Sequence, residues 1–316
     1  MNPIQKIIYT LDQFQQRYRL SAFIYGVIKK YGEDQAGYQS ALLTYYAFLS
    51  LFPLLLVLTT VTSSLAHSHP GLQHSIIQAV TSYIPSLGDQ LSRSVHTQHK
   101  TGVALLVGTL FTLYGARGVA DAFRNGVNHL WRVPLTKRDG FPKSILKSLS
   151  IILGGGLGLI LASIFTGLAA AAGQGWAFRI LSVLVNIAIL GGLFSWLLKT
   201  SLTRRVSFKD LRSGALTAAI GLVLLQTFGA LVLKNELKSL DAVYSNFAIA
   251  LGLLFWLYLQ AQVVLYAVEV SVVHTQRLWP RSLAGDLTVA DKRALARQAQ
   301  EAKAIEDEQI HTQFTD

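Results

Sequence analysis

Long apolar runs alternate with short polar and basic segments over most of the 316 residues. Six of these runs approach the roughly 20 residues that an α-helix needs to cross a hydrocarbon core of about 30 Å. They lie near residues 41–65, 102–118, 145–172, 177–198, 212–233 and 247–272. The runs are continuous and rich in Leu, Ala and Gly, whereas a membrane β-barrel would show short alternating strands. The pattern therefore predicts an all-α polytopic membrane protein, a bundle of six transmembrane helices.

The polar segments divide the chain into three parts. We expect an amphipathic segment at the cytoplasmic membrane surface (1–40), a transmembrane domain (41–274) with an external loop (66–101), and a helical cytoplasmic tail (275–316). In the tail, Thr288 is the predicted N-cap of a polar helix that starts near Val289, with Asp291 at its third position. The first forty residues show no cleavage pattern, so the first span is predicted to act as an uncleaved insertion signal.

The basic residues indicate an orientation. Of the 28 Lys and Arg, 22 fall on the side that holds both ends of the chain and five on the other. Because positive residues accumulate in cytoplasmic segments, both termini are predicted to be cytoplasmic. This distribution accounts for the net charge of +11. Nucleic-acid binding is not expected, since the charges are spread over four segments instead of clustering with aromatic residues in one domain.

The first span contains polar residues and a proline within TYYAFLSLFPLLLVL, residues 44–58. Pro53 removes a backbone hydrogen bond to the carbonyl of Leu49 and is expected to bend the helix. Tyr46, Ser50 and Pro53 share one helix face. That face should point into the bundle, either toward a wet cavity or toward a partner helix.

Three stretches resemble the YihY/BrkB family of bacterial inner-membrane proteins. These are ALLTYYAFLSLFPLLLVL in the first span, LYGARGVADAFRNGVNHLWRVP at 113–134, and the AVEV that ends the last span. Ala267 and Val268 stand where the family usually has Gly-Ala, and Glu269 stays in register. The resemblance implies six transmembrane helices and a bacterial inner-membrane location. Some members carry a ribonuclease BN label, but this chain lacks the cytoplasmic His and carboxylate cluster that a metal-dependent nuclease needs.

A polar stripe lies in and after the second span, where Arg117, Asp121, Arg124 and Asn128 follow spacings of four, three and four. Such spacings place the four residues on one side of a helix. One interpretation is an interfacial helix with Arg117–Asp121 and Asp121–Arg124 ion pairs. The other is the cytoplasmic mouth of a pathway, with Asp121 held ionised by its two arginines.

A second stripe lies in the last span, at Tyr258, Gln262, Tyr266 and Glu269. A carboxylate inside an apolar helix is expected to face the bundle interior or water, and it is a functional hypothesis by default. The competing interpretation places Glu269 at the cytoplasmic interface, paired with an arginine such as Arg124 or Arg117.

The predicted external loop is rich in histidine. Five of the eight histidines fall in this region: His67, His69, His74, His96 and His99. Imidazole is a common metal ligand, but the only acidic partner nearby is Asp89, so these residues are interpreted as polar residues of a water-facing loop. We expect neither a metal nor a cofactor, and the absence of cysteine excludes thiolate sites.

These features favour a transporter or permease-like protein for a small solute or ion, with Glu269 as the candidate carrier of a proton or cation. No Walker-type loop is present, so the energy would come from a gradient or a partner. The alternative is a membrane scaffold or envelope-assembly factor that recruits lipids or proteins through its basic cytoplasmic face. Membrane lipids are expected partners in either case. An enzyme is not expected, because no nucleophile with a base partner recurs at helical spacing.

Overall fold

The computed structural model describes residues 3–68, 71, 102–171, 175–238, 245–283, 286–303, 305 and 308–314. Within these ranges the regular secondary structure is helical, with nine α-helices and a 3₁₀ turn at Leu135–Lys137. The α-helices are α1 (Pro3–Arg17), α2 (Arg19–Glu33), α3 (Ala36–Ser68), α4 (Gly102–Leu130), α5 (Lys143–Ala171), α6 (Trp176–Ser201), α7 (Phe208–Lys238), α8 (Ser245–Gln276) and α9 (Val289–Glu301).

Four helices in the described residues are long and apolar enough to cross a membrane. The qualifying stretches are Lys143–Ala162, Trp176–Ser201, Phe208–Gly229 and Ala250–Gln276. The other two predicted spans fall on α3 and α4, which contain 33 and 29 residues. All six apolar runs are thus helical where they are described, and the count of six transmembrane helices stays a prediction.

The six long helices, α3 to α8, form a closed ring. Each helix packs on the next along the chain, and α8 returns to pack on α3. Large apolar side chains on the outside of the ring are exposed, including Leu110 on α4, Leu157 on α5 and Phe255 on α8. Such outward apolar surface is what lipid-facing helices require.

Small residues allow the helices to approach closely, as in other membrane bundles. The clearest example is Gly214 of α7. A Cβ atom added at this position would lie 2.5 Å from the carbonyl oxygen of Ala267 and 2.6 Å from the Cβ atom of Ser271, both on α8. The backbones of α7 and α8 are therefore in direct contact where α7 begins.

Helices α1, α2 and α9 pack at one end of the ring, which we call the terminal end. The predicted N-terminus of α9 is confirmed, since Thr288 and Asp291 form a reciprocal capping box. Helix α1 is held by buried Asp12, whose carboxylate accepts a hydrogen bond from the backbone N–H of Leu283 at 2.9 Å. Both ends of the chain are thereby fastened to the segment that follows α8.

Candidate functional site

A buried network of charged side chains lies at the terminal end, beneath α9. Its centre is Lys30 of α2, whose amino group has three oxygen neighbours, from Asp34, Leu130 and Glu269. It pairs with the carboxylate of Asp34, donates a hydrogen bond to the carbonyl of Leu130 at 2.9 Å, and lies 3.0 Å from Oε2 of Glu269. Lys30, Asp34 and Glu269 are all buried. The three residues join α2 to the last membrane-capable helix.

Two further charged residues extend this network toward the surface. Arg132, just after α4, pairs with Asp34 and donates to Oε2 of Glu301 at 2.7 Å. Glu301, the last residue of α9, also accepts a hydrogen bond from Arg138 at 3.1 Å and contacts Nδ1 of His129 at 2.8 Å. We refer to Lys30, Asp34, Arg132, Arg138, Glu269 and Glu301 as the ionic cluster.

The charges of the ionic cluster balance, with three cations against three carboxylates when Glu269 is ionised. Balance is needed because a buried charge without a partner costs several kcal/mol. Glu269 is the least firmly held member of the ionic cluster, because neither of its carboxylate oxygens accepts a well-directed hydrogen bond from the described residues. Its charged partner is Lys30, 3.0 Å from Oε2. A change at Glu269 alters the charge balance of the ionic cluster.

The backbone at Arg132 shows how the cluster is assembled. Arg132 adopts a left-handed conformation with φ 53° directly after α4. The N–H of Val133 bonds to the carbonyl of Asn128, and that of Arg132 to the carbonyl of His129, which is the hydrogen-bond pattern of a Schellman helix end. Glycine is the usual residue at this position. An arginine here accepts local strain and places its guanidinium between Asp34 and Glu301.

A small cavity of about 10 Å³ adjoins the ionic cluster, which is room for one water molecule. Lys30, Asp34 and Arg132 of the ionic cluster line it, together with Arg297 of α9. Gln276 also lines it, and the amide nitrogen and oxygen of this side chain are buried without a hydrogen-bond partner among the described residues. A water molecule can donate and accept at once, so it matches both unpaired amide atoms. Helix α9 contributes Ala294, Arg297 and Gln298 to the lining of this cavity.

A second set of ion pairs holds α9 in place. Asp291 accepts from Nε of Arg281 at 2.5 Å and from Nζ of Lys29 at 2.9 Å. Arg281 also donates twice to Glu33, at 2.7 and 2.8 Å. Burial by itself would raise the pKa of Asp291, but hydrogen bonds from Thr288, Arg281, the Ser282 backbone and Lys29 outweigh it and hold that pKa well below the usual range.

Docking of α9 should therefore survive mild acid. A carboxylate with a lowered folded-state pKa contributes stability above its unfolded pKa of about 3.9, and this contribution is lost only as the pH falls below that value toward the folded pKa. We expect the amides of α9 to stay protected from hydrogen exchange between pH 7 and about pH 4, after correction for intrinsic rates. In Asp291→Asn they should exchange at least tenfold faster over the same pH range. The matched control is Asp286→Asn, at an exposed acid of the same segment, and equal exchange in both variants would contradict the role of Asp291.

The predicted polar face of α3 packs on a partner helix. Tyr46 lies against Gly118 of α4, where a Cβ atom would come within 2.3 Å of the Tyr46 ring, and Ser50 lies against Gly115. Both side chains are partly buried, as is Pro53. Of the two alternatives that the sequence left open, the structure favours helix contact for Tyr46 and Ser50.

The predicted stripe on α4 is bound to neighbouring segments. Arg117 and Arg124 lie 3.4 and 3.3 Å from the carboxylate of Asp121. Arg124 also donates to the carbonyl and hydroxyl oxygens of Ser144 and to the hydroxyl of Ser148, at 2.8 to 2.9 Å. These bonds tie α4 to the start of α5. Both expected ion pairs with Asp121 are present.

Asn128 continues the stripe and bridges to the segment after α6. Its amide nitrogen donates to the carbonyl of Ser201 at 2.8 Å, and its amide oxygen accepts from the backbone N–H of Thr203 at 3.1 Å. Asn128 is buried. Its observed bonds satisfy the backbone between α6 and α7.

The predicted stripe on α8 faces α2 and the start of α3. Tyr266 stacks on Tyr31 with ring centroids 3.7 Å apart, and Gln262 is within hydrogen-bonding reach of the Tyr31 hydroxyl. Tyr258 points its hydroxyl toward Gly37 of α3. Glu269 completes the stripe at the ionic cluster.

The proposed arginine partner of Glu269 was wrong. Its partner is Lys30, because α2 crosses α8 at this level while Arg124 and Arg117 lie beside Asp121. The three predicted stripes are not gathered around one chamber: that of α3 faces α4, that of α4 faces α5 and the segment after α6, and that of α8 faces α2 and α3.

Sequence analysis missed most of the ionic cluster. Lys30, Arg132 and Arg138 entered only the count of basic residues that indicates orientation. Asp34 and Glu301 were not considered. One local signal was available, since Lys30 and Asp34 have the i,i+4 spacing of a helical ion pair. The long-range partners Leu130, Glu269 and Glu301 have no such signal.

The histidine-rich loop lies largely outside the described residues. His69, His74, His96 and His99 fall there, and of His67 only the helical backbone is described. Within the described ranges, no group of three or more His, Cys, Asp or Glu side chains is arranged to hold a metal ion.

In a comparison with known proteins, residues 27–287 match the family described as virulence factor BrkB. A UPF0761 membrane protein of Psychrobacter sp. (strain PRwf-1) is 26% identical over 82% of this chain, and the match spans only 50% of that relative's length. The inner membrane protein YhjD of Escherichia coli (strain K12) is 24% identical over 79% of this chain and 80% of its own. No solved structure matches.

Proposed function

Because the chain belongs to the BrkB family of integral membrane proteins, we propose that it moves a small solute or ion across the bacterial inner membrane. The proposed location is supported by the E. coli relative, whose name states that it is an inner membrane protein. The terminal end faces the cytoplasm in this proposal, because 22 of the 28 basic residues lie on that side. The six long helices then all cross the membrane.

The observation that carries the proposal is the position of Glu269. It is buried within the membrane-capable stretch Ala250–Gln276, 3.0 Å from Lys30. An ionisable group at such a place is costly to maintain, and in membrane proteins it typically marks a route for ions, protons or substrates. A proton or cation that binds this carboxylate competes with the ammonium group of Lys30.

The described conformation corresponds to a state that is closed at the cytoplasmic end. Glu269 is covered by Lys30 and Asp34, and α9 lies over them. Protonation or cation binding at Glu269 would leave the ionic cluster with one excess positive charge. That excess weakens the hold on Lys30 and favours separation of α2 from α8, which opens a path to Glu269. Neutralising one carboxylate thus couples proton or cation binding to a change of conformation.

Proton flux in everted membrane vesicles tests this proposal. A preset pH gradient is challenged with a panel of cations and small organic solutes, and its collapse is recorded for the native chain and for Glu269→Gln at equal expression. We expect at least one solute to collapse the gradient in the native chain, and the substitution to reduce that rate at least tenfold. The matched control is Asp286→Asn, an exposed carboxylate outside the ionic cluster, which should keep most of the rate. Equal loss in both variants would argue against a specific role of Glu269.

A membrane scaffold is the second candidate. Its support is that Arg124 and Asn128 are bound to neighbouring segments, and that the cavity beside the ionic cluster has room for only one water. A scaffold would give no gradient collapse with any solute. Its basic terminal end would instead recruit lipids or proteins.

A further inference from the structure

Helix α1 has an unusual arrangement of polar and apolar sides. Its buried side chains are polar: Asp12 and Gln15 are 6% and 8% exposed. Large apolar side chains are exposed instead: Ile7, Leu11 and Phe14 are 61%, 56% and 60% exposed. A helix on a water-facing surface normally buries its apolar side. In α1 the Ile7–Leu11–Phe14 face stays exposed instead, about 100° around the helix from the buried polar face, so this exposed face is suited to an apolar medium.

The inward side explains why the helix keeps this orientation. Gln15 donates to the carbonyl of Arg281 at 2.6 Å, and Asp12 accepts from Leu283 at 2.9 Å. Hydrogen bonds from Leu283, Gln16, Gln15 and Ser282 outweigh the effect of burial and keep the pKa of Asp12 below its usual range. These contacts fix the rotation of α1 about its axis and leave Ile7, Leu11 and Phe14 pointing outward.

The exposed apolar surface continues beyond α1. Phe14 and Tyr18 pack their rings together with centroids 5.0 Å apart, and both are exposed. Along α2 and the first half of α3, exposed apolar residues recur at helical spacing: Leu20, Ile24, Ile28, Tyr38, Leu42, Tyr45 and Leu49. Exposed tyrosines are typical of the membrane–water interface. The surface is therefore continuous with the outside of the helix ring.

The exposed charged side chains of this segment are all positive. Between residues 3 and 20 the basic residues are Lys6, Arg17 and Arg19, all exposed, and the acidic residue is Asp12, which is buried. At about 100° per residue, Lys6 and Arg17 lie roughly 90° to one side of the Ile7–Leu11–Phe14 face. Cations flanking an apolar face are the pattern of a helix that lies in the headgroup region of a membrane.

We infer that α1 and the first turns of α2 lie in the membrane leaflet at the terminal end, with Ile7, Leu11 and Phe14 among the acyl chains. The partner is an anionic phospholipid bilayer, whose headgroups neutralise Lys6, Arg17 and Arg19. Asp12 and Gln15 connect α1 to residues 281–283. Arg281 of that segment in turn pairs with Asp291 of α9, so the lipid contact of α1 is linked to the docking of α9.

The absence of cysteine from the chain allows a direct test. A single cysteine is introduced at Leu11 on the apolar face or at exposed Gln13, which lies about 200° around the same helix. Each variant of the full chain carries an environment-sensitive bimane label and is reconstituted in vesicles of phosphatidylcholine with phosphatidylglycerol. Brominated acyl chains should quench the Leu11→Cys label several-fold more than the Gln13→Cys label. The difference should shrink when phosphatidylglycerol is omitted or salt is raised.

Three results would overturn the inference. Equal quenching at the two positions would show that the apolar face does not lie in the bilayer. Quenching that does not depend on phosphatidylglycerol would remove the requirement for anionic lipid. A Leu11→Cys label that escapes the brominated lipid, together with a disulfide between two chains when the unlabelled Leu11→Cys variant is treated with an oxidant, would assign the face to a second copy of the protein. The assay reports only the position of α1, so its outcome is independent of the transport proposal.

Discussion

Replacing Lys30 with methionine is expected to lower the free energy of unfolding by about 3–5 kcal/mol, the usual cost of removing one partner from a buried ion pair. Methionine fills a similar volume, so the loss comes from charge and not from packing. Lys30 is buried and supports Asp34, Glu269 and the carbonyl of Leu130. The variant leaves the ionic cluster with three carboxylates against two cations. The measurement is the loss of folded protein on heating in detergent, followed by size-exclusion chromatography.

The neighbouring lysine supplies the control for this prediction. Lys29 also contacts a carboxylate, Asp291 at 2.9 Å, but its side chain is 24% exposed, so Lys29→Met should cost clearly less. The double variant Lys30→Met with Glu269→Gln restores two cations against two carboxylates. It should recover part of the lost stability. Similar losses for Lys29→Met and Lys30→Met, or a double variant that is worse than Lys30→Met, would show that charge balance in the ionic cluster does not govern stability.

Replacing Gly214 with alanine should destabilise the contact between α7 and α8 by about 1–3 kcal/mol, the usual cost of overpacking a well-filled core. The added Cβ atom would lie 2.5 Å from the carbonyl oxygen of Ala267. This neighbour is backbone, so relief requires movement of a helix and not of a side chain. In an exposed helix interior, the same exchange would be stabilising by about 1 kcal/mol.

Gly156 of α5 provides the matched control, because a Cβ atom there would meet no heavy atom within 4 Å. Gly156→Ala should be neutral or stabilising in the same heating assay. If Gly214→Ala behaved like Gly156→Ala, the close approach of α7 and α8 would not be required for the fold.

The helices were largely predictable because their physical cause is local. A backbone in lipid must satisfy its own hydrogen bonds, so a sufficiently long apolar run is expected to be helical. The capping box at Thr288 and Asp291 was found from sequence for a similar reason, since both partners lie within one turn. The ion pairs of Asp121 with Arg117 and Arg124 are also local contacts along α4.

The candidate site was only half predictable. Glu269 stood out, because a carboxylate in an apolar helix is conspicuous. Its partner did not, because Lys30 is 239 positions away along the chain and sits in a segment of mixed composition. Arg132 was missed as well. Its left-handed backbone conformation occurs at a position without glycine, so the sequence does not indicate that the helix ends there.

The sequence by itself determined that this protein is helical, is embedded in a membrane and carries an ionisable residue in its last span, because these properties follow from hydropathy and spacing along one segment. Tertiary structure alone decided which polar residues meet. It joined Lys30, Glu269 and Arg132 from three separate elements, and it turned the polar side of α1 toward the protein. Ion pairs and close helix contacts depend on distances between segments remote in the chain, and those distances are set only when the helices pack.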